Sequence, residues 1–381
     1  MNTWRLVFLG AWMLSLVACA PADNPRQARA LRAQNATGDI VIGAAWAWDS
    51  AKGQLWDGIA LAMDEINASG GVLNRKLRVI KEDDESSLAK GRKIAQQFAE
   101  TPDMVAVIGH QNSYVALPAA ATYQAAGLVY LTPGASSYQL HDQGYDLVFR
   151  TAPSNRSMGI QMANYMAQQG YRRVAIFYVK AKASQDMANY FEQHAKDLGL
   201  TVVDRRSFAK GAQDFSSTIQ NWNDLYRFDA LFLAGSMPEG AAFVAQARKM
   251  GFTAPIISGD GLDTAQFITA AGAAAEGVVL PETFVHDPSR PAYSRFHALF
   301  TQKYKTQPRT NHARGYDAVH LIAQAIQQAN STSPEQIAKA LHATRGWHGA
   351  TGEFSFDDKG DIPDKPIGLK VVRNGQFETL K

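Results

Sequence analysis

From Asp39 onward the chain alternates short β-rich apolar runs with stretches of helical periodicity, and that alternation leaves few folds open. Ile40 to Trp46 is apolar and β-rich. Leu55, Ile59, Ala62, Met63 and Ile66 then recur at helical spacing until Gly70-Gly71 stops the helix. Leu77 to Ile80, Met104 to Ile108 and Leu128 to Leu131 read as strands, with helices over Leu88 to Phe98 and Tyr114 to Ala126 between them. A second series begins near Pro153. Its strands are Arg173 to Tyr178, Thr201 to Asp204, Ala230 to Ala234 and Pro255 to Ser258. Its helices are Ser157 to Gln169, Gln185 to Leu198, Ser216 to Tyr226, Glu239 to Met250 and Thr264 to Ala271. Strand–helix–strand repetition predicts parallel sheets covered on both faces. Two such series predict an α/β protein of two doubly wound parallel-sheet lobes.

The last hundred residues read differently. Helices over Tyr293 to Lys303, Gly315 to Ala329 and Pro334 to Leu341 precede a hairpin of Gly352 to Phe356 and Gly368 to Val372 around Asp357-Asp358-Lys359-Gly360-Asp361. The helices are expected to return to the first lobe and the hairpin to the second. A chain of 381 residues is long enough for two cores, and 38 basic against 35 acidic residues leave it near neutral. That balance argues against a nucleic-acid partner, which needs a basic face to neutralise phosphates.

The first residues read as an address. Residues 1–18 carry Arg5, an apolar run from Leu6 to Leu14 and the ending Leu16-Val17-Ala18, the pattern of a secretory signal. The run is too short to span a bilayer. Cys19 is the chain's single cysteine, so no disulfide can form within it. Leu16-Val17-Ala18-Cys19 resembles a bacterial lipobox, which implies a lipid on Cys19 and attachment to a bacterial membrane from the extracytoplasmic side. Residues 20–38 are small and polar without an apolar period, so residues 19–38 are expected to be a lipidated cysteine and flexible tether.

In open parallel sheets ligands bind beyond the carboxyl ends of the strands. Two loops there are rich in glycine, hydroxyls and amides: Gly109-His110-Gln111-Asn112-Ser113 and Thr132-Pro133-Gly134-Ala135-Ser136-Ser137. Ser113 opens a helix, where free amides and the dipole favour a carboxylate. The same residue would serve as a plain N-cap, and local chemistry does not choose between the two.

Ile108-Gly109-His110, Thr132-Pro133-Gly134-Ala135-Ser136 and Gly144-Tyr145 through Arg150-Thr151 resemble the first-lobe signature of the leucine/isoleucine/valine-binding protein family. Asp64-Glu65-Ile66-Asn67-Ala68-Ser69-Gly70-Gly71-Val72 and Asp357 to Asp361 resemble it too, so the likeness runs over most of 39–372. These are type I periplasmic binding proteins that serve ABC importers. The resemblance implies a cleft between two lobes joined by a three-stranded hinge: 39–151 plus 282–350 as lobe 1, and 152–281 plus 351–381 as lobe 2. Crossovers are expected near Arg150 to Ala152, Leu280 to Glu282 and Ala350 to Gly352. It further implies that Ser113 and Ser136 hold a ligand's α-carboxylate, that the Gly134 carbonyl accepts from its α-ammonium, and that Asp260 pairs with that ammonium. A turn residue in Ser258-Gly259-Asp260-Gly261 is the plainer role for Asp260.

Two departures bear on the ligand's side chain. The loop Lys180 to Ser184 has no aromatic, and Ser236 stands where an aromatic is frequent. Trp46 and Trp48, just beyond the first strand, are candidates for the aromatic wall, with Trp48 as ligand contact or core residue. The expected partners are thus a small-molecule amino acid or related carboxylate, ABC permease subunits, and the membrane through the lipid on Cys19. No cofactor or metal is expected: Glu82-Asp83-Asp84-Glu85 lacks calcium-loop spacing, and no nucleophile elbow, P-loop or histidine ligand pattern occurs. No catalytic group is visible, and the chain reads as a non-enzyme. The alternative is a lipoprotein regulator or docking partner of an envelope enzyme, using the same fold without transport.

Overall fold

A computed structural model describes residues 24–49 and 54–380. The predicted signal peptide and Cys19 lie outside the described residues. The body begins with helix α1 (Pro25–Asn35), capped by the Asn24 side chain accepting from Arg26 N at 3.1 Å. Strands and helices then alternate: β1 (Ile40–Trp46), α2 (Leu55–Ala68), β2 (Leu77–Asp83), α3 (Leu88–Glu100), β3 (Met104–Gly109), α4 (Ser113–Ala126), β4 (Val129–Thr132) and β5 (Val148–Arg150). They build a parallel sheet of order β2-β1-β3-β4-β5. β1 and β3 are apolar and buried throughout because helices cover both faces. The order reverses between β1 and β3, which leaves a crevice at their carboxyl ends.

The second lobe contains α5 (Asn155–Gln168), β6 (Arg173–Val179), α6 (Lys182–Asp197), β7 (Thr201–Phe208), α7 (Ser216–Leu225), β8 (Ala230–Ala234), α8 (Glu239–Lys249), β9 (Ile256–Ser258), α9 (Ala265–Ala271) and β10 (Val279–Glu282). After it come α10 (Pro291–Tyr304), α11 (Thr310–Ala329), α12 (Pro334–His342), β11 (Trp347–Gly349), β12 (Gly352–Phe354), β13 (Gly368–Arg373) and β14 (Gln376–Leu380). The second sheet runs β14-β13-β10-β9-β8-β6-β7; β13 pairs antiparallel with both β10 and β14. Helix α11 returns to the first lobe and crosses α2 at two glycines. A Cβ on Gly58 would collide with the His312 carbonyl, and one on Gly315 with the Leu55 carbonyl.

Three expectations change. Residues 24–38 are not all tether, because α1 lies folded on lobe 1 with Arg29 and Ala33 buried. Gly352–Phe354 pairs with Trp347–Gly349 rather than with Gly368–Val372, and β13 forms its hairpin with β14. Phe354, Phe356 and Ile362 belong to the lobe 1 core. The third crossover therefore follows Ile362 instead of Ala350 to Gly352. Along that passage Ser157 Oγ donates to the Pro363 carbonyl at 3.0 Å, and Gln161 Nε2 to the Lys365 carbonyl at 3.0 Å.

Candidate functional site

The loop after β3 is held from below by His110, which is fully buried. Its Nδ1 lies 2.6 Å from Asp84 Oδ2, its Nε2 3.0 Å from the Tyr123 hydroxyl, and its backbone N–H donates to the Tyr130 hydroxyl at 2.8 Å. Burial pushes the hydroxyls of Tyr123 and Tyr130 up, so both are neutral donors and acceptors at ordinary pH. His110 is thus a structural post. It fixes the direction in which Gln111, Asn112 and Ser113 leave the strand.

Ser113 is the first residue of α4, and Asn112 is the N-cap. The Ser113 hydroxyl accepts the backbone N–H of Ser137 at 3.1 Å, which sews the β3 loop to the β4 loop. Within the β4 loop, Thr132 Oγ1 accepts from Gly134 N (3.3 Å) and Ala135 N (3.0 Å) and donates to the His110 carbonyl (3.1 Å). Gly134 lies close to the Trp46 ring, and a Cβ there would strike it. Ser136 is half-buried, and its carbonyl accepts from Asn155 N at 2.9 Å, at the start of α5 in lobe 2. The loops that carry Ser113, Gly134 and Ser136 are therefore sewn together by hydrogen bonds between hydroxyl side chains and the backbone.

Arg150, fully buried at the end of β5, secures the β4 loop from behind. Its Nη1 donates to the carbonyls of Ser137 (2.6 Å) and Ala135 (3.4 Å), and its fork engages Asp361. Burial alone would raise the Asp361 carboxyl. The charge and hydrogen bonds of Arg150 outweigh it and hold that carboxyl below its usual range.

On lobe 2, Asp260 opens a 3-10 turn directly after β9 and is exposed. Ser236 is half-buried in the loop after β8. Gly261 brings the two loops together: a Cβ there would meet the Gly235 carbonyl and lie 3.1 Å from Ser236 Cα. The charges of Asp260 and Asp263 act on Arg314 of α11, in the other lobe, whose Nη2 also donates to Thr283 Oγ1 at 3.1 Å. Burial pulls the Arg314 guanidinium down, and the two aspartates oppose it. Trp48 packs edge-on against Trp56 and donates its indole N–H to the Glu82 carbonyl at 2.7 Å, with Lys81 Nζ over both rings. The ring at Gly134 is that of Trp46. Among the described residues no cluster of His, Cys, Asp and Glu is placed to hold a metal, and no helix is long and apolar enough to cross a membrane.

Residues 43–376 match the periplasmic binding protein family. The chain belongs to the leucine/isoleucine/valine-binding group of type I periplasmic binding proteins. One sequence relative is the Leu/Ile/Val-binding protein homolog 1 of Brucella suis, 28% identical over 312 residues that cover 81% of this chain and 82% of the relative. A structure of an ABC transporter substrate-binding protein from Desulfitobacterium hafniense in complex with Leu is 36% identical. It superimposes with a TM-score of 0.80 over 90% of this chain and 100% of that one. The branched-chain amino acid substrate-binding protein of Streptococcus pneumoniae, in complex with isoleucine, is 26% identical with a TM-score of 0.76, over 90% and 99% of the two chains.

This periplasmic binding protein also makes contacts around these loops that the sequence did not announce. Tyr190 of α6 in lobe 2 sits edge-on to Tyr138 of lobe 1, with ring centroids 5.3 Å apart, and Lys182 Nζ lies 5.4 Å from the Tyr138 ring. The loop Lys180 to Ser184 has no aromatic, and lobe 2 presents one from within α6 instead. Inspection of loops could not find it. The carbonyl-binding role of Arg150 was equally hidden, since an arginine at a strand end has many roles.

Proposed function

We propose that this periplasmic binding protein is the extracytoplasmic solute receptor of an ABC importer, that it is lipid-anchored through Cys19, and that it takes an amino acid or related small carboxylate between its lobes. The observation that carries this reading is the bond from Ser137 N to Ser113 Oγ, which joins two hydroxyl-rich loops at the start of α4. A carboxylate lodged there would meet the Ser113 and Ser136 hydroxyls and the positive end of the helix. An α-ammonium would meet the Gly134 carbonyl and, on closure, Asp260. A cation in a closed cleft needs such a partner. The Asp260 charge acts on Arg314, so the ligand ammonium would share that carboxylate with a guanidinium. The relatives solved with Leu and isoleucine support an aliphatic amino acid as the first ligand to try.

The test is thermal unfolding of residues 20–381 against a panel of amino acids and small carboxylates, followed by calorimetry on each hit. Ligand at about 100 times Kd adds roughly 2.7 kcal/mol to the native state, enough to raise the midpoint by a few degrees. A shift confined to one chemical group of ligands supports the receptor and names its cargo class. Absence of any shift across the panel sinks the receptor reading and leaves the docking-partner alternative.

A further inference from the structure

We propose that α1 moors the body to the membrane short and base-first, so that its outward face rests on the lipid headgroups and the cleft end of lobe 1 points away from them. This rests on the lipidation of Cys19 proposed above. α1 has no apolar stripe; it carries Arg26, Arg29 and Arg32 and no acid. What holds it down is Arg29, only 3% exposed. Its guanidinium donates to the carbonyls of Ala126 (2.9 Å), Thr101 (2.8 Å), Met104 (2.8 Å), Pro102 (3.4 Å) and Ala99. Ala99 and Ala126 lie in the last turns of α3 and α4, where unpaired carbonyls carry partial negative charge. Burial and the charge of Arg32 bring the Arg29 pKa down to about 10, so it stays cationic at neutral pH. Arg26 pairs with Asp146 at 2.9 Å, and Thr332 Oγ1 donates to the Ala33 carbonyl at 2.6 Å.

The placement of these contacts sets the orientation. Thr101 to Met104 and Ala126 lie at the amino ends of β3 and β4, whereas the loops with Ser113, Gly134 and Ser136 leave their carboxyl ends. α1 therefore sits at the pole of lobe 1 opposite the site. Four residues, Ala20 to Asp23, separate Cys19 from Asn24. Five Cα steps reach at most about 17 Å. β3 alone, over its six residues, rises about 17 Å. The docked anchor's reach thus only equals the rise of β3 and falls short of the cleft end, which lies beyond the further loop from His110 to Ser113. With α1 released, the 21 steps from Cys19 to Ile40 would reach about 70 Å. The outward face of α1 suits a headgroup layer: Leu31 is 61% exposed, flanked by the exposed Arg32, Gln27 and Gln34. Delivery of solute to a permease in the same membrane then requires α1 to come off lobe 1, and the mooring becomes a switch on delivery.

The experiment uses the full chain, exported by a bacterial host and purified from membranes. Mass spectrometry of the Cys19 peptide first reads the lipid. Because Cys19 is the single native cysteine and its sulfur would be in a thioether, Glu100→Cys at the base and Tyr114→Cys at the cleft end each give one labelling site. Energy transfer to headgroup acceptors is then measured in vesicles of phosphatidylethanolamine and phosphatidylglycerol. Transfer from position 100 should be several-fold stronger than from 114. A Gly/Ser insertion of about twelve residues after Ala22, which leaves α1 untouched, should bring the two close to parity. Equal transfer in the lipidated parent, or stronger transfer from 114, overturns the mooring while the lipoprotein reading stands. A Cys19 without lipid overturns both.

Discussion

Arg150 and Asp361 form a forked ion pair that ties the first crossover to the chain entering the third: Nε donates to Oδ1 at 3.0 Å, and the terminal nitrogen reaches Oδ2. The remaining nitrogen of the same guanidinium holds the carbonyls on either side of Ser136. The two crossovers and the β4 loop therefore share one fixed cation. A movement of either crossover is transmitted to the loop through hydrogen bonds rather than through loose packing.

Breaking this pair from one side should be costly. Arg150→Met leaves the Asp361 carboxylate without its cation and two loop carbonyls without a donor, and it should lower stability by about 3–5 kcal/mol. The double variant Arg150→Met/Asp361→Leu should recover much of the loss, because no buried charge is stranded. Urea unfolding reads both. The pair's contribution is complete above the ordinary carboxylate pKa of about 3.9 and fades as pH falls through the lower native value. A double variant no more stable than the single one would show that packing, not charge, is what Arg150 supplies.

Ser113 and Asp260 should separate stability from binding. Ser113→Ala removes the acceptor of Ser137 N, so it should cost about 1–3 kcal/mol of stability as well as ligand affinity. Asp260 is exposed and its charge acts on Arg314, so Asp260→Asn should lower the unfolding midpoint of the free protein less than Ser113→Ala does. Loss of a charge-assisted bond worth about 1.5–3 kcal/mol weakens the affinity for an amino acid about 10- to 150-fold. Calorimetric titration with the best ligand from the panel decides. Unchanged affinity in both variants would remove them from the site.

Arg29→Ala should unpin α1. The substitution leaves carbonyls of the α3 and α4 ends without their donor, a cost of about 1–3 kcal/mol for each one that water does not reach. The more telling readout is limited proteolysis by trypsin. Cleavage after Arg32 should become rapid in the variant, while cleavage in the rest of lobe 1 stays slow. Equal resistance at Arg32 in parent and variant would mean that Ala33 and Arg26 hold α1 without the clamp.

The parts of this fold that were legible are those carried by apolar periodicity. β1, β3 and β8 are unbroken apolar runs because they are covered on both faces, and the lobes follow from them. α1 escaped because its attachment is one arginine among carbonyl oxygens, and apolar periodicity does not register that kind of docking. The end of the chain misled for a different reason. Phe354 and Phe356 alternate as a strand should, but the partner of Gly352–Phe354 is the three-residue strand Trp347–Gly349, too short to announce itself. Loop chemistry pointed to Ser113, Gly134 and Ser136 as residues. It could not reveal the Ser113–Ser137 bond or the Tyr138–Tyr190 contact, because those depend on how separate segments are stacked.

Lys365 provides a test of the third crossover as the structure draws it. Its side chain is buried in the hinge, where Nζ donates to Thr351 Oγ1 at 2.8 Å and reaches the Thr151 carbonyl at 3.4 Å. Asp317 of α11, which accepts from Thr351 and Ala350, faces it, as do Arg314 and Arg290. Burial lowers the ammonium from 10.5 to about 7; Asp317 opposes the shift, and the two arginines add to it. Between those two values the unfolded chain binds a proton that the native protein does not, so stability should rise with pH across that window and level off above about 10.5. Lys365→Met removes the group and with it the slope. The variant should therefore unfold at a higher temperature than the parent near pH 7, and the gap should narrow steadily as pH approaches 10. Thermal unfolding at several pH values between 7 and 10.5 measures the gap directly. A gap that stays constant with pH would mean that Lys365 keeps its charge in the folded hinge, with solvent reaching a side chain that the structure buries.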